Sequence, residues 1–186
     1  MLKANRCGEI TQIMMGREMD GAVLYWTAAY LVDGLLIDTG CAFTAEELIR
    51  FLREHEVKQV VNTHHHEDHV GANYLIQREL GLDIFAPAPA VPLIGRRLPL
   101  RQYQEMVWGY PEPTAVRPLP AAIDTTRCHF ELIETPGHSA DHVAIFEPEK
   151  GWCFTGDLFV SENLKMLLAD EDMGGAPFLG LAVAVL

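Results

Sequence analysis

The sequence predicts an α/β protein with two β-rich parts, and three observations support this class. The chain has 186 residues, of which 49% are hydrophobic, which suits a single domain over residues 1–186 with a sizeable core. Apolar runs alternate with amphipathic helical patterns, in a β-α-β-α-β order, through about residue 85. Strand patterns return over residues 127–155. An alternation of this kind places a ligand site at the carboxyl ends of the strands.

The N-terminal part is predicted to form a β-meander followed by a helix. The strands cover residues 10–15, 23–32 and 35–38, the turns are Asp20-Gly21 and Asp33-Gly34, and Tyr25, Trp26 and Tyr30 are expected to pack on one sheet face. Thr44 as N-cap and Glu47 at the third helical position form a capping box. This capping box predicts a helix through about His55.

The rest of the chain combines further elements with a proline-rich segment over residues 86–126. A helix over 70–80 ends at Gly81, and strands are predicted over 83–85, 127–134, 142–146 and 152–155. A helix over 100–108 lies inside the proline-rich segment, which is an insert that either covers a cleft or caps the sheet. Ser161-Glu162-Asn163, then a helix through Leu168, and an apolar tail over 178–186 follow.

The stretch Thr63–His69, with the sequence THHHEDH, concentrates four histidines and two carboxylates in seven residues. An apolar run leads into it and a helical pattern follows it, so it lies on a strand-to-helix loop. Alternate side chains of an extended loop share a face, which directs His64 and His66 to one point and Asp68 and His69 to a second. Histidines crowded in this way indicate a metal site rather than a solvated loop. Imidazole and carboxylate ligands suit zinc, with iron or manganese as alternatives.

The pattern His64-x-His66-x-Asp68-His69 resembles the signature of the metallo-β-lactamase superfamily, which includes glyoxalase II-like thioesterases, lactonases and phosphodiesterases. Three further segments fall in the order of that family. They are Leu36–Gly40 (LIDTG), similar to its early strand-end turn, Thr135–Ser139 (TPGHS), similar to its third-histidine loop, and Phe154–Asp157 (FTGD), similar to the turn with its second-metal aspartate. The resemblance covers about residues 20 to 160.

The resemblance implies an αββα sandwich of metallo-β-lactamase type and a ligand set for two metal ions. His64, His66 and His138 would hold the first metal, Asp68 and His69 would hold the second, and Asp157 would bridge them. The family usually supplies one more histidine after the bridging aspartate, yet no histidine follows His142 here. The last helix-strand part of the second half, which would deliver it, is therefore expected to be missing. Candidates for a replacement ligand are Glu162, Asp170, Glu171, Asp172 or a residue of a partner subunit.

His142, His129 and Cys41 fall outside this ligand set and have other predicted roles. His142, four residues after His138, is predicted to orient a ligand. His129 alternates with Phe130 on a strand and is predicted to be structural. Cys41 follows the LIDTG turn and either faces the site or lines the core.

These residues favour a metal-dependent hydrolase that acts on a small ester, thioester or lactone. A metal held by three histidines keeps an open position, and zinc lowers the pKa of its bound water to about 7, which supplies a hydroxide nucleophile. Asp157 would orient the nucleophile and Asp68 would accept or relay a proton, so both are assigned catalytic roles. The alternative is a catalytically weakened, metal-binding remnant with a role in association or regulation, which the absent histidine and the apolar tail motivate.

Charge and composition limit the partners and the location. Fourteen basic against 26 acidic residues give a net charge of −12, which opposes nucleic-acid binding, nuclease activity and attraction to anionic membranes. No segment approaches the roughly 18 apolar residues that span a bilayer. We therefore expect a cytoplasmic protein with a small-molecule substrate and reduced cysteines. For the apolar tail, a buried strand, a homodimer contact and a truncation stay open.

Overall fold

The computed structural model describes residues 1–159, which form two packed β-sheets with helices against one face of the larger sheet. Within this range the large sheet has seven strands, in the order β1 (Leu2–Cys7), β2 (Ile10–Met15), β5 (Thr27–Val32), β6 (Leu35–Ile37), β7 (Gln59–Val61), β8 (Ile84–Ala86) and β9 (Arg117–Pro118). The small sheet there consists of β10 (Ala122–Asp124), β11 (His129–Glu134), β12 (Val143–Glu147) and β13 (Trp152–Phe154). The short strands β3 (Glu18–Met19) and β4 (Ala22–Val23) form a separate hairpin.

The helices connect the strands of the large sheet. They are α1 (Ala45–Leu52), α2 (Asn73–Leu80), α3 (Val91–Ile94) and α4 (Gln102–Trp108). The strands from β1 to β6 in this sheet pair antiparallel, whereas β6 to β9 pair parallel. Parallel neighbours need a crossover, and α1 and α2 supply the crossovers from β6 to β7 and from β7 to β8. The predicted alternation of strands and helices is confirmed in this part of the chain.

The residues of β6 contribute to two separate cores. Leu36 faces the helices and packs in one cluster with Leu48 of α1 and Ile76 of α2. Leu35 points to the opposite face and packs in the second cluster, which includes Phe130 of the small sheet. The layers of the described chain are therefore helices, large sheet and small sheet, which are three of the four layers of the predicted sandwich.

Phe130 is expected to contribute strongly to the packing between the sheets. Its side chain is fully buried, and its ring lies 6.3 Å from the ring of Phe154. Phe130→Ala leaves a cavity, so we expect the free energy of unfolding in urea to fall by about 3–5 kcal/mol. Phe43→Ala, at a ring that is 46% exposed, is the control and is expected to cost less than about 1 kcal/mol. Equal losses in the two variants would contradict this account of the core.

The carboxyl ends of the parallel strands meet at one edge of the large sheet. The loops that begin there contain the last three residues of the LIDTG segment, after β6, and the THHHEDH stretch, after β7. These two loops touch, since the amide of Gly71 donates to the carbonyl of Gly40 at 2.8 Å. The small sheet reaches the same edge, where the amide of Val143 donates to the carbonyl of Thr63 at 3.0 Å. The predicted site therefore lies at the strand ends, as expected for this sheet topology.

The predicted capping box at Thr44 does not form. Residues Ala42–Thr44 make a 3₁₀ turn before α1, and the Thr44 hydroxyl donates back to the carbonyl of Cys41 at 3.1 Å. A hydroxyl engaged in this way does not cap the following helix. Glu47 instead pairs with the amino group of Met1 at 3.3 Å, and α1 ends at Leu52, before His55.

The predicted strand over residues 23–32 is interrupted. Residues 24–26 separate β4 from β5, and Tyr25 and Trp26 are 55% and 38% exposed instead of packing on the sheet. The hairpin of β3 and β4 carries this part of the chain towards α4, where the ring of Tyr25 lies 5.9 Å from that of Trp108. Strand β1, with the polar sequence LKANRC, is not predicted from its residues, and it forms as an edge strand paired with β2.

The proline-rich segment 86–126 leaves the large sheet after β8 and reaches the small sheet at β10. The predicted helix over 100–108 is confirmed as α4, which begins two residues later, at Gln102. After α4 the chain adds β9 to the edge of the large sheet. Whether the segment covers a cleft stays a prediction.

Several predictions concern residues that the structure does not describe. These are the helix through Leu168, the apolar tail over 178–186, the replacement ligands Glu162, Asp170, Glu171 and Asp172, and the rest of the second half of the sandwich. The assignment of all 186 residues to one domain likewise stays a prediction. Within residues 1–159, no helix combines the length and the apolar character that crossing a membrane requires.

Candidate metal centre

Buried amides and hydroxyls fix the loop that follows β7. The Asn62 side chain donates to the carbonyl of His69 at 3.0 Å, and the Asn73 side chain donates to Asn62 at 2.8 Å. The Thr39 hydroxyl lies 3.1 Å from the same His69 carbonyl. All of these side chains are buried. They satisfy the polar groups of an irregular loop, which fixes the direction of its imidazoles.

Three imidazoles converge at a first point. The potential ligand nitrogens of His64, His66 and His138 all lie within 4.8 Å of one another. Nδ1 of His66 is 2.8 Å from Nε2 of His138. Nδ1 of His64 lies 3.0 Å from the hydroxyl of Thr63, so Nε2 is the remaining ligand atom of this ring. The structure thus brings residues of two distant segments together in the first predicted set.

A second group lies beside the first and shares His64 with it. The potential ligand atoms of His64, His69 and Asp157 lie within 4.8 Å of one another. Nε2 of His69 is 3.1 Å from Oδ1 of Asp157, and Oδ2 of Asp157 is 3.4 Å from Nε2 of His138. Asp157 therefore contacts members of both groups. Asp68 lies further out, with Oδ2 at 3.8 Å from Nε2 of His69.

Asp38 orients His69 and Thr63. Its Oδ2 lies 2.8 Å from Nδ1 of His69 and accepts from the Thr63 hydroxyl at 2.9 Å, while its Oδ1 accepts from the Thr63 amide at 2.8 Å. A carboxylate on Nδ1 fixes the tautomer of an imidazole and leaves Nε2 for a ligand. The sequence indicates the turn at Asp38 but not this role. The signal for this role is that Asp38 directly follows β6, whose residues are all buried. A carboxylate buried at such a position needs hydrogen-bond partners.

His142 positions the backbone of Asp157. Nδ1 of His142 lies 2.7 Å from the hydroxyl of Thr135, and its Nε2 accepts from the amide of Asp157 at 3.2 Å. Burial, together with the nearby rings of His138 and His69, lowers the pKa of His142 to about 4. The ring is therefore neutral and accepts at one nitrogen. His142 therefore contacts the backbone of a predicted metal ligand, and its orienting role stays a prediction.

Gly156 leaves no space for a side chain beside His142. A Cβ at this position would lie 2.6 Å from Nε2 of His142 and 2.9 Å from Oγ1 of Thr63, and the φ angle is +49°. Gly156→Ala is therefore expected to displace Asp157, to reduce the bound metal, and to lower the free energy of unfolding by more than about 2 kcal/mol. Elemental analysis and urea denaturation measure both effects.

Gly151→Ala is the matched control for this prediction. Gly151 also has a positive φ, +70°, but nothing lies within 4 Å of an added Cβ. Only the cost of the left-handed backbone is expected there, about 1–2 kcal/mol, with unchanged metal content. If the two alanine variants bind the same amount of metal, the steric argument for Gly156 is wrong.

Burial keeps two imidazoles of the first group, those of His64 and His66, neutral. His64 is fully buried, and burial together with the neighbouring His69 holds its pKa well below the usual value. Burial and the adjacent ring of His138 lower the pKa of His66 to about 3. Neutral imidazoles present a free lone pair, which is the form that binds a metal.

The second group contains charged side chains, because its imidazole and its carboxylate stabilise each other's charged forms. Burial opposes the protonation of His69, but the carboxylates of Asp157, Asp38 and Asp68 outweigh it and raise the pKa of this ring well above its usual value. Burial raises the pKa of Asp68 to about 7. For Asp157, burial acts in the same direction, but His69 and His138 outweigh it and lower the pKa. The carboxylates here concentrate negative charge, which a divalent cation would neutralise.

His65, the second of the three consecutive histidines, links the loop after β7 to the loop that carries His138. Asp141 accepts from the His65 amide at 2.9 Å with one oxygen, and its other oxygen lies 2.8 Å from Nδ1 of His65. Burial would raise the pKa of the Asp141 carboxyl, but His65 outweighs this effect and lowers it. This contact ties the loop after β7 to the loop that carries His138. Sequence analysis missed it, because nothing local links two residues so far apart.

The remaining candidates lie outside the cluster. Cys41 is buried, with Sγ at 3.4 Å from the hydroxyl of Thr44, which supports the core-lining interpretation. His55 and His129 are both exposed. Their Nδ1 atoms contact the Phe51 carbonyl and the Asp124 carboxylate, respectively.

The donor set fits a divalent metal ion. Among the residues that the structure describes, Nε2 of His64 is one of four buried side-chain nitrogen or oxygen atoms without a hydrogen-bond partner. An unpartnered buried polar atom is costly, and coordination of a metal would satisfy it. Imidazole and carboxylate donors gathered at this spacing suit zinc, iron or manganese.

The fold and the site together define a protein family. The profile of the metallo-β-lactamase superfamily matches residues 27–181, so the chain belongs to this superfamily. A metallo-β-lactamase from Pontibacter korlensis has a similar structure, with a TM-score of 0.71 at 22% identity over 92% of this chain and 80% of that one. The DIM-1 metallo-β-lactamase gives a TM-score of 0.67 at 18% identity over 92% and 77% of the two chains. The predicted fold is confirmed.

Two sequence relatives indicate which members of the family this chain resembles. The hydroxyacylglutathione hydrolase of Legionella pneumophila (strain Paris) is 27% identical over 146 residues, which are 73% of this chain and 47% of that protein. The hydroxyacylglutathione hydrolase GloC of Haemophilus influenzae is 30% identical over 134 residues, 68% of this chain and 61% of that protein. The chain therefore spans about half to three fifths of the length of these relatives. The predicted likeness to glyoxalase II-like members is confirmed.

Proposed function

We propose that this protein binds one or two divalent metal ions, with zinc as the first choice, and hydrolyses a small thioester, ester or lactone. The observation that carries the proposal is the convergence of His64, His66 and His138, beside His69 and Asp157. Within this cluster, Nε2 of His64 is buried and has no hydrogen-bond partner among the described residues. A three-histidine set is typical of catalytic zinc sites, which keep an open position. Within the class we favour a thioester, because the names of the relatives specify an acylglutathione.

The proposal gives each residue of the cluster a role. The first metal is assigned to His64, His66 and His138, the second to Asp68 and His69, with Asp157 shared between them. A metal bound there supplies a Lewis acid and lowers the pKa of a coordinated water to about 7. Asp68, next to His69, is assigned to accept or relay a proton.

The residues around the cluster keep its members in position. Asp38 holds the ring of His69, and His142 holds the backbone of Asp157. Asp141 ties the two loops that carry the first group. Ligands held in this way are preorganised, which binding and catalysis both require.

Elemental mass spectrometry combined with a substrate panel tests the proposal. Protein purified without added metal is analysed for metal per chain, and its hydrolysis of a hydroxyacylglutathione, a phenyl ester and a lactone is measured before and after chelation. We expect one or two metal ions per chain, and turnover of the thioester that the chelator abolishes and zinc restores. Protein that binds no metal even after zinc is added would overturn the proposal.

A catalytically weakened metal-binding protein is the second candidate. The observation that favours it is that Asp68 lies outside the second group of potential ligand atoms, with Oδ2 at 3.8 Å from Nε2 of His69, which leaves the second metal position with fewer ligands in the described part of the chain. Metal bound to the chain without turnover of any substrate on the panel would select this candidate. Metal-dependent cleavage of RNA would contradict both candidates, and the net charge of −12 opposes it.

A further inference from the structure

A pocket of about 390 Å³ lies between the proline-rich segment and the small sheet. The start of the segment contributes Pro87 and Pro89, its end contributes Leu119 and Pro120, and strand β11 contributes Leu132. Pro87 follows β8 and Leu119 follows β9, so this proline-lined pocket lies at the same edge of the large sheet as the metal centre. Its volume falls in the range of small-molecule sites.

The proline-lined pocket and the metal centre share a wall. Ala140, Asp141 and His142, which belong to the loop that carries His138, line the pocket. The ring centre of His142 is 4.9 Å from that of His64 and 6.0 Å from that of His138. A group bound in the pocket is therefore one side chain away from the first group of imidazoles.

The polar residues in this wall are already engaged. Both oxygens of Asp141 contact His65, and the two nitrogens of His142 contact Thr135 and Asp157. They have little hydrogen-bonding capacity left for a ligand. Apart from Glu134, the other side chains of the wall are those of proline, alanine, leucine and valine. The chemistry that the pocket offers is therefore apolar.

Glu134 places a carboxylate at the rim of the pocket, where it is exposed. An anionic group that entered past this carboxylate would lose its hydration and meet no partner for its charge. The net charge of −12 acts in the same direction. The pocket should therefore discriminate against carboxylates and accept neutral groups.

We infer that the proline-lined pocket binds the short, neutral, apolar acyl group of the substrate. The inference rests on the proposed hydrolase function, since it assigns one part of that substrate to a site beside the metal centre. The walls suit this role, because the fixed φ angles of Pro87, Pro89, Pro120 and Pro136 make them rigid before a ligand arrives. A preformed pocket binds without a large ordering cost.

A series of thioesters of one thiol tests the selectivity. The butyryl group buries two methylenes more than the acetyl group, so its kcat/KM is expected to be about tenfold higher. The succinyl group has the same length but ends in a carboxylate, and its kcat/KM is expected to be at least about tenfold below that of the butyryl thioester. Equal values for the three acyl groups would overturn the inference.

Variants at two exposed alanines of the proline-rich segment sharpen this test. Ala121 lines the pocket, so Ala121→Trp is expected to fill it and to reduce the butyryl-to-acetyl ratio of kcat/KM about tenfold. Ala115 is exposed and does not line the pocket, and Ala115→Trp is expected to keep the wild-type ratio. An unchanged ratio in Ala121→Trp would contradict the assignment of the pocket.

A binding measurement separates this inference from the proposed function. Methyl groups of Leu132 and Val143, both of which line the pocket, are labelled with ¹³C and observed by NMR while butyramide, a neutral amide that resists hydrolysis, is added. Saturable shifts in the wild type that Ala121→Trp abolishes would support the inference. Absence of shifts at these methyls would overturn it, even for a protein that hydrolyses thioesters. Saturable methyl shifts in a protein that turns over no substrate would overturn the proposed function. The apolar character of the pocket would still be supported.

Discussion

His64→Ala is expected to remove most of the bound metal and to lower metal-dependent hydrolysis by more than about 100-fold. His64 is assigned to the first metal, and its Nε2 is a buried atom without a hydrogen-bond partner in the described part of the chain. Loss of a residue that merely orients a ligand typically costs about 10–100-fold in metal affinity or activity. Loss of a ligand itself should therefore cost more.

Metal content and kcat/KM are measured on the same preparations, with His55→Ala as the matched control. His55 is exposed, and its Nδ1 contacts the Phe51 carbonyl, so this variant should keep the wild-type metal and rate. Because His64 is fully buried, circular dichroism verifies that the variant folds, and His66→Ala provides a second test at a partly exposed ring. Wild-type metal content in both His64→Ala and His66→Ala would refute the ligand assignment.

Asp38→Ala is expected to destabilise the fold and to weaken the second metal position. The substitution leaves the amide and hydroxyl of Thr63, and Nδ1 of His69, without their acceptor in a buried site. Each unsatisfied group costs about 1–3 kcal/mol, so the free energy of unfolding in urea should fall by about 3 kcal/mol or more. Alanine is also less tolerant than aspartate of the φ angle of 60° at this position.

Asp38→Asn separates the effect on the metal from the effect on stability. Asparagine keeps the size, the tolerance of a left-handed backbone and one acceptor atom, so the loss of stability should be smaller than in Asp38→Ala. It lacks the second acceptor and the charge, so metal affinity or activity should still fall about 10–100-fold. Asp20→Asn, in a hairpin turn with a φ angle of 51°, is the control. Unchanged metal binding in Asp38→Asn would show that Asp38 does not orient His69.

The centre of the site is predictable because its signal is local. THHHEDH places its imidazoles and carboxylates within seven residues, and the apolar strand and the helical pattern on either side define the loop. His138 and Asp157 are different, since they lie about 70 and 90 residues further along the chain. Spacing alone cannot show that they meet the motif, and here the family resemblance supplied them.

The contacts that orient the site are not predictable from patterns, because they join distant residues. Asp38 and Thr63 are 25 positions apart, and His65 and Asp141 are 76 apart. The apolar run before Asp38 predicts a buried strand end, but not which donors meet the carboxylate. Both contacts depend on how the two sheets pack, which hydrophobic periodicity does not specify.

Two predictions from local sequence patterns were wrong because contacts with distant residues determined the structure. Thr44 and Glu47 have the sequence of a capping box, but the Thr44 hydroxyl turns back to Cys41 and Glu47 pairs with Met1. Residues 23–32 have the apolar and aromatic content of one strand, but the hairpin of β3 and β4 separates its first residues from the large sheet. In both cases the neighbours that decide the outcome lie outside the window that a pattern covers.

The division of the proposed ligand set between the two sheets would link metal supply to the lifetime of the fold. His64, His66 and His69 follow β7 of the large sheet, whereas His138 and Asp157 lie in segments that follow β11 and β13 of the small sheet. An ion held by both would act as a cross-link between the layers. An ion at 100 times its dissociation constant adds about 2.7 kcal/mol to the stability of the folded state. In a cell short of metal, the protein would therefore spend more time open to proteases, and its abundance would follow the available metal.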